Sequence, residues 1–268
     1  MPYFNNEGIK IYYEIEGEGP PVVMIHGFSS NLERQWKETN WVDFLKDNYK
    51  LILMDCRGHG KSDKPHEDSA YVQKMNEDVI KLLEHLSIKK ANLFGYSMGA
   101  SITFRLLLNN PEVIISAILG GYVLDLKQDE KERAKEIKGT KQIIDALRAE
   151  SIDKVKKPLG RAFRKVAELH ENDLLALAAV QACWLIEQNE TMLPPVQMRG
   201  SLKKIKVPVM TVVGSSEILS GDKTLVAQLV PDACHFQIQG KDHLTVTSDP
   251  KFYMVVKAFL DFVNFSRK

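Results

Sequence analysis

Cysteine is scarce in this chain, with only Cys56, Cys183 and Cys234 among 268 residues. Three scattered thiols make neither a disulfide framework nor a zinc site. They fit a reducing compartment, so a cytoplasmic protein is expected. Net charge is missing too, since 36 Lys+Arg stand against 35 Asp+Glu. That balance gives no reason to expect a nucleic-acid partner or an anionic membrane partner. Long apolar runs are lacking. The longest, 113–124 and 174–186, are too short to span a bilayer, and no membrane insertion is expected. The opening Met-Pro-Tyr-Phe-Asn-Asn-Glu-Gly has no basic region followed by an apolar one, so it does not read as a signal peptide. There is no repeat, no Gly/Ser linker and no low-complexity tail.

What is present is an alternation of short buried runs with helical patterns. Residues 3–5 and 9–15, separated by Asn6-Glu7-Gly8, read as a β-hairpin. Val22–Ile25 and Leu51–Met54 are continuous apolar runs, as strands buried on both faces require. A helix is expected around 33–47. Another is expected where Tyr71, Val72, Met75, Val79, Leu82, Leu83 and Leu86 recur at helical spacing. Strands at 90–94, 113–119, 207–213 and 234–238 and helices at 98–109, 222–230 and 251–265 continue the series. This predicts an α/β chain with a mostly parallel, doubly wound, eight-stranded sheet. The stretch 123–203 breaks the rhythm, because it holds no convincing strand. It reads as an inserted all-helical cap between the core segments 1–122 and 204–268. Within it, Lys127–Lys141 reads as a solvated helix face and Leu174–Ile186 as a buried run.

Chemistry enters at Gly95-Tyr96-Ser97-Met98-Gly99. A Gly-x-Ser-x-Gly between a buried strand and a helix is a nucleophile elbow, whose tight turn lifts the serine hydroxyl above the sheet edge. A serine hydroxyl needs a base, and the base needs an orienting group. His243, in Gly240-Lys241-Asp242-His243 after the last strand, is the candidate base. For the acid, Glu217 follows strand 207–213 in Gly214-Ser215-Ser216-Glu217 and is preferred, with Asp125 and Asp222 as alternatives. An oxyanion hole needs backbone N–H groups aimed at developing charge. Met98 supplies one by position, and Phe28 in His26-Gly27-Phe28 is expected to supply the other. His26 and His59 read as loop-shaping residues and Cys56 as a packing residue. Asp55–Ser62 holds glycines and a serine but not phosphate-loop spacing, so a structural loop is expected there. Trp184, Met192 and Leu244 are candidate pocket residues.

These motifs together resemble the α/β-hydrolase superfamily over essentially the whole chain. His26-Gly27-Phe28 resembles its oxyanion motif, Asp55–Ser62 its Asp-x-Arg-Gly-x-Gly-x-Ser loop, and Gly240–His243 its Gly-x-x-His. One departure is Glu217, which stands where a Gly-x-x-Asp pattern is usual. The resemblance implies a cofactor-free, esterase-like serine hydrolase with a helical lid, using no metal. The mainly apolar lid suggests a small to medium, partly hydrophobic substrate. Thioester, lactone or C–C cleavage and peroxide exchange on the same residues are alternatives. A slow-turnover ligand receptor is the alternative from another class.

Overall fold

A computed structural model of the chain describes residues 2–126, 129–190 and 193–265, apart from the side chains of 187–190. The hairpin is β1 (Tyr3–Asn6) and β2 (Ile9–Glu16), paired antiparallel. The remaining chain runs β3 (Pro21–Ile25), α1 (Trp41–Leu45), β4 (Lys50–Met54), α2 (Gln73–His85), β5 (Ala91–Tyr96), α3 (Met98–Asn109) and β6 (Ile114–Gly120). Helices α4 (Glu130–Arg148), α5 (Pro158–Leu169), α6 (Leu174–Glu190) and α7 (Pro195–Leu202) follow. The chain closes with β7 (Val209–Gly214), α8 (Leu225–Leu229), β8 (Cys234–Ile238) and α9 (Pro250–Phe265). The eight strands form one sheet in the order β1-β2-β4-β3-β5-β6-β7-β8. From β4 to β8 all pairings are parallel.

The apolar runs are continuous because both sheet faces are covered. One face carries α2 and α3, with Ile25, Met54, Met75, Val79, Leu93, Phe104 and Leu106 in a shared core. The other carries α1 and α9 around an aromatic cluster. There the Phe94 ring lies 4.8 Å from Trp36 and 4.9 Å from Trp41, which in turn meets Phe252 at 5.0 Å. Such offset and edge-on pairs add to the area that they bury.

Two expectations change. The helix read over 33–47 is two short pieces, a π-turn at Glu33–Lys37 and α1, because Asn40 turns left-handed at φ 63° between them. Asparagine tolerates that conformation better than most residues. The run Leu174–Ile186 is not buried throughout. Leu177 to Val180 are buried, whereas Leu175 and Ile186 are each 47% exposed. A helix packed along one side cannot bury its whole circumference. No strand lies between β6 and β7 among the described residues. The start of this stretch lies against the loop after β7, since Leu124 and Asp222 pair as an isolated antiparallel bridge. Lys127 and Met192 lie outside the described residues.

Candidate active site

Register places the site. Ile25 at the end of β3 pairs with Gly95 of β5, so the loops after the two strands begin side by side. Ser97 is held at φ 53°, ψ −111°, a region costly for a side chain with a Cβ. The flanking glycines explain how the turn survives. A Cβ on Gly95 would collide with the Gly99 carbonyl and the Thr103 hydroxyl, and one on Gly99 with the Ile25 carbonyl. Gly27 brings the neighbouring loop in, since a Cβ there would lie 3.4 Å from Ser97 Cβ.

The other loops converge on the same hydroxyl. Glu217 stands three residues past β7 and His243 five past β8. His243 Nε2 lies 2.9 Å from Ser97 Oγ, and its Nδ1 lies 2.9 Å from Glu217 Oε2. With the ring proton on Nδ1, the imidazole donates to Glu217 and accepts from the serine hydroxyl. The Glu217 side chain is fully buried. Burial pushes its pKa up, but the His243 contact and the N–H groups of Leu219 and Ile218 outweigh that and hold it below the usual value. Those amides donate to Oε1 at 3.1 Å and 2.8 Å. The longer side chain therefore folds back on its own loop and still reaches the ring.

The two alternative acids are placed elsewhere. Asp222 Oδ1 accepts from the N–H and hydroxyl of Thr224, both at 2.8 Å. Asp125 lies beside Gly221, on the other side of the Leu124–Asp222 bridge. Phe28 is half-buried, with its ring 5.9 Å from His59 and 6.4 Å from Phe163. Met98 opens α3 directly after Ser97, where a first-turn N–H has no partner within the helix. Trp184 packs against the core beside α3, with the Arg105 guanidinium 4.4 Å above its ring. Leu244 is 77% exposed next to His243.

Sequence reasoning missed Tyr96. Its hydroxyl donates to the His243 carbonyl, and its ring lies 5.4 Å from the imidazole. The residue occupies a variable position of the pentapeptide, so only its contact across the sheet reveals it. Asp242 was also passed over. Its carboxylate accepts from the N–H groups of Leu244 and Thr245 and closes the turn around His243.

The loop Asp55–Ser62 answers its own hydrogen-bonding needs. Asp55 accepts from the N–H groups of Leu32 and Lys61 at 2.8 Å and 2.7 Å, so a carboxylate fills the place a phosphate would need. Arg57 makes a two-point pair with Asp78 at 2.6 Å and 2.7 Å and also donates to the Ala70 carbonyl. His26 is buried, with its Nδ1–H donating to the Gly27 carbonyl and its Nε2 accepting from Cys56 N–H at 2.9 Å. His59 is buried 5.1 Å from it, donating from Nδ1 to the Arg57 carbonyl. Burial lowers the pKa of His26 to about 4 and of His59 to about 3, so both rings are neutral. Cys56 is buried and its thiol is pushed well up by burial, which suits packing and not nucleophilic attack. Among the described residues, no three His, Cys, Asp or Glu side chains are grouped to hold a metal ion.

A model of the alpha/beta hydrolase fold matches residues 20–192. The chain belongs to the alpha/beta hydrolase fold family. Over 118 residues it is 32% identical to "Uncharacterized hydrolase YugF" of Bacillus subtilis (strain 168). That match covers 43% of this chain and 42% of the relative, so less than half of the relative's length is spanned. Among solved structures, a hydrolase from Pseudomonas aeruginosa PA01 superposes with a TM-score of 0.73 at 20% identity, covering 96% of this chain and 97% of that one. The enol-lactonase from Burkholderia xenovorans LB400 superposes at 0.70 and 20% identity, covering 97% and 99%. At that identity these likenesses speak for the fold. No described helix is long and apolar enough to cross a membrane.

Proposed function

We propose that this α/β-hydrolase cleaves a carboxylic ester or closely related acyl bond through an acyl-enzyme on Ser97. The observation that carries the reading is the unbroken chain from Ser97 Oγ to His243 Nε2 and from His243 Nδ1 to Glu217 Oε2, 2.9 Å at each link. His243 takes the hydroxyl proton as the serine oxygen attacks the carbonyl carbon. Glu217 fixes the tautomer and stabilises the imidazolium that forms. The N–H groups of Phe28 and Met98 take up the negative charge on the tetrahedral oxygen. The imidazolium returns its proton to the leaving alkoxide, and the alcohol departs. A water, deprotonated by the same ring, then attacks the acyl-enzyme, releasing the acid and restoring Ser97.

Helices α4 to α7 are the proposed cap. Phe163 of α5 meets Phe28 at the rim of the site, and in the α5–α6 loop the Asn172 amide donates to the Ser29 carbonyl at 3.1 Å. Trp184 and Leu244 are the described members of the proposed apolar pocket, with Met192 the third. The test is a fluorophosphonate label followed by a screen of p-nitrophenyl esters of increasing chain length. Lactones are run beside them, since the fold is shared with an enol-lactonase. Wild type should label and turn over an ester while Ser97→Ala does neither. Equal labelling of the two proteins would remove Ser97 from the role.

A further inference from the structure

Helix α5 is packed the wrong way round for an amphipathic helix. Its buried residues are Gly160, Arg164 and Ala167. Its large apolar side chains face outward, with Leu159 42%, Phe163 38%, Val166 46% and Leu169 76% exposed. At about 100° per residue these four fall within one arc of roughly 120°. The orientation is held firmly. A Cβ on Gly160 would collide with the Gln142 carbonyl and the Ala146 methyl of α4. The buried Arg164 donates to the carbonyls of Ala146 and Ala149 at 2.8 Å and 2.6 Å and to Glu168 at 2.8 Å.

The arc stands beside the Ser97 site, because Phe163 touches Phe28. The loops that bring in Glu217 and His243 also project apolar tips, Ile218 at 72% and Leu244 at 77% exposure. Lys165 stands at the edge of the arc, and Lys156 and Lys157 come just before the helix; all three are exposed and form no ion pair among the described residues. Residues 150–171 hold six Lys and Arg against the four acids Glu150, Asp153, Glu168 and Glu171. The near-zero net charge of the whole chain conceals this local excess. A small ligand in a concave pocket would leave side chains that protrude this far uncovered. A two-fold pairing of copies through this face would set the same lysines against each other. An apolar arc edged by cations suits an anionic lipid surface.

We propose that α5 docks this hydrolase peripherally on anionic membranes, with Leu169 and Val166 entering the interface and the lysines lying among the headgroups. Binding needs no hydrolysis, so it stands or falls separately from the reaction on Ser97. Co-sedimentation of the full chain with phosphatidylglycerol/phosphatidylcholine vesicles, and with pure phosphatidylcholine vesicles, tests it. Binding to the anionic vesicles only, weakening as salt rises, is expected. Each cation lost should lower the partition coefficient about fivefold, so Lys157→Ala with Lys165→Ala should lower it about 25-fold. Leu169→Asp should abolish binding. All these variants should keep wild-type hydrolysis of a soluble ester, and Ser97→Ala should bind vesicles as wild type does. Absence of binding to either vesicle would overturn the proposal, as would binding indifferent to Leu169→Asp. A dimer in sedimentation velocity that Leu169→Asp dissolves would assign the face to a second copy instead.

Discussion

Acid should unfold this protein from beneath the loop that follows β3. The pKa of buried His26 is about 4 and that of His59 about 3, against 6.5 for a free ring. Between pH 6.5 and these values the unfolded chain binds two protons that the native state does not. Stability is therefore fully present above pH 6.5 and is lost as pH falls. At pH 5 each unfolded ring gains about 2 kcal/mol from protonation, so moving from pH 7 to pH 5 should cost about 4 kcal/mol from the pair. That is a large part of a typical domain stability of about 5–15 kcal/mol. The geometry agrees, since a proton on His26 Nε2 would set it against the Cys56 N–H that it now accepts. Urea denaturation followed by circular dichroism at pH 7, 6 and 5 measures the slope. His59→Gln, neutral throughout, should remove about half of the two-proton slope of about 2.7 kcal/mol per pH unit. A stability that is flat from pH 7 to pH 5, or a slope unchanged in His59→Gln, would refute the reasoning.

Glu217→Gln should lower kcat by about 10³- to 10⁴-fold with little change in KM, because the amide cannot hold the required tautomer. Steady-state kinetics on the best ester from the screen checks this, and near-normal kcat would return the role to Asp125 or Asp222. Arg57→Ala leaves Asp78 buried with only the Asn6 amide, at 2.8 Å, as a partner among the bonds described. It should destabilise the fold by about 3–5 kcal/mol, read from the shift in urea midpoint at constant slope.

Much of this molecule was legible in the sequence because its signals are local. Continuous apolar runs such as Val22–Ile25 report a sheet covered on both faces. Gly95 and Gly99 report a turn with no room for a Cβ, which marks Ser97 without reference to the rest of the fold. The stretch 123–203 reads as helical only because it lacks a convincing strand. Contacts across the sheet left no such trace. Three carboxylates followed strand ends, and only the registers of β7 and β8 bring Glu217 to His243 while Asp222 turns to Thr224. Tyr96 reaches the His243 carbonyl through a contact 147 residues apart in the chain. Periodicity in α5 tells that it has an apolar face but not where that face points. Close approach at Gly160 and the satisfied Arg164 turn that face outward, and those are facts of packing that no single helix carries in its own sequence.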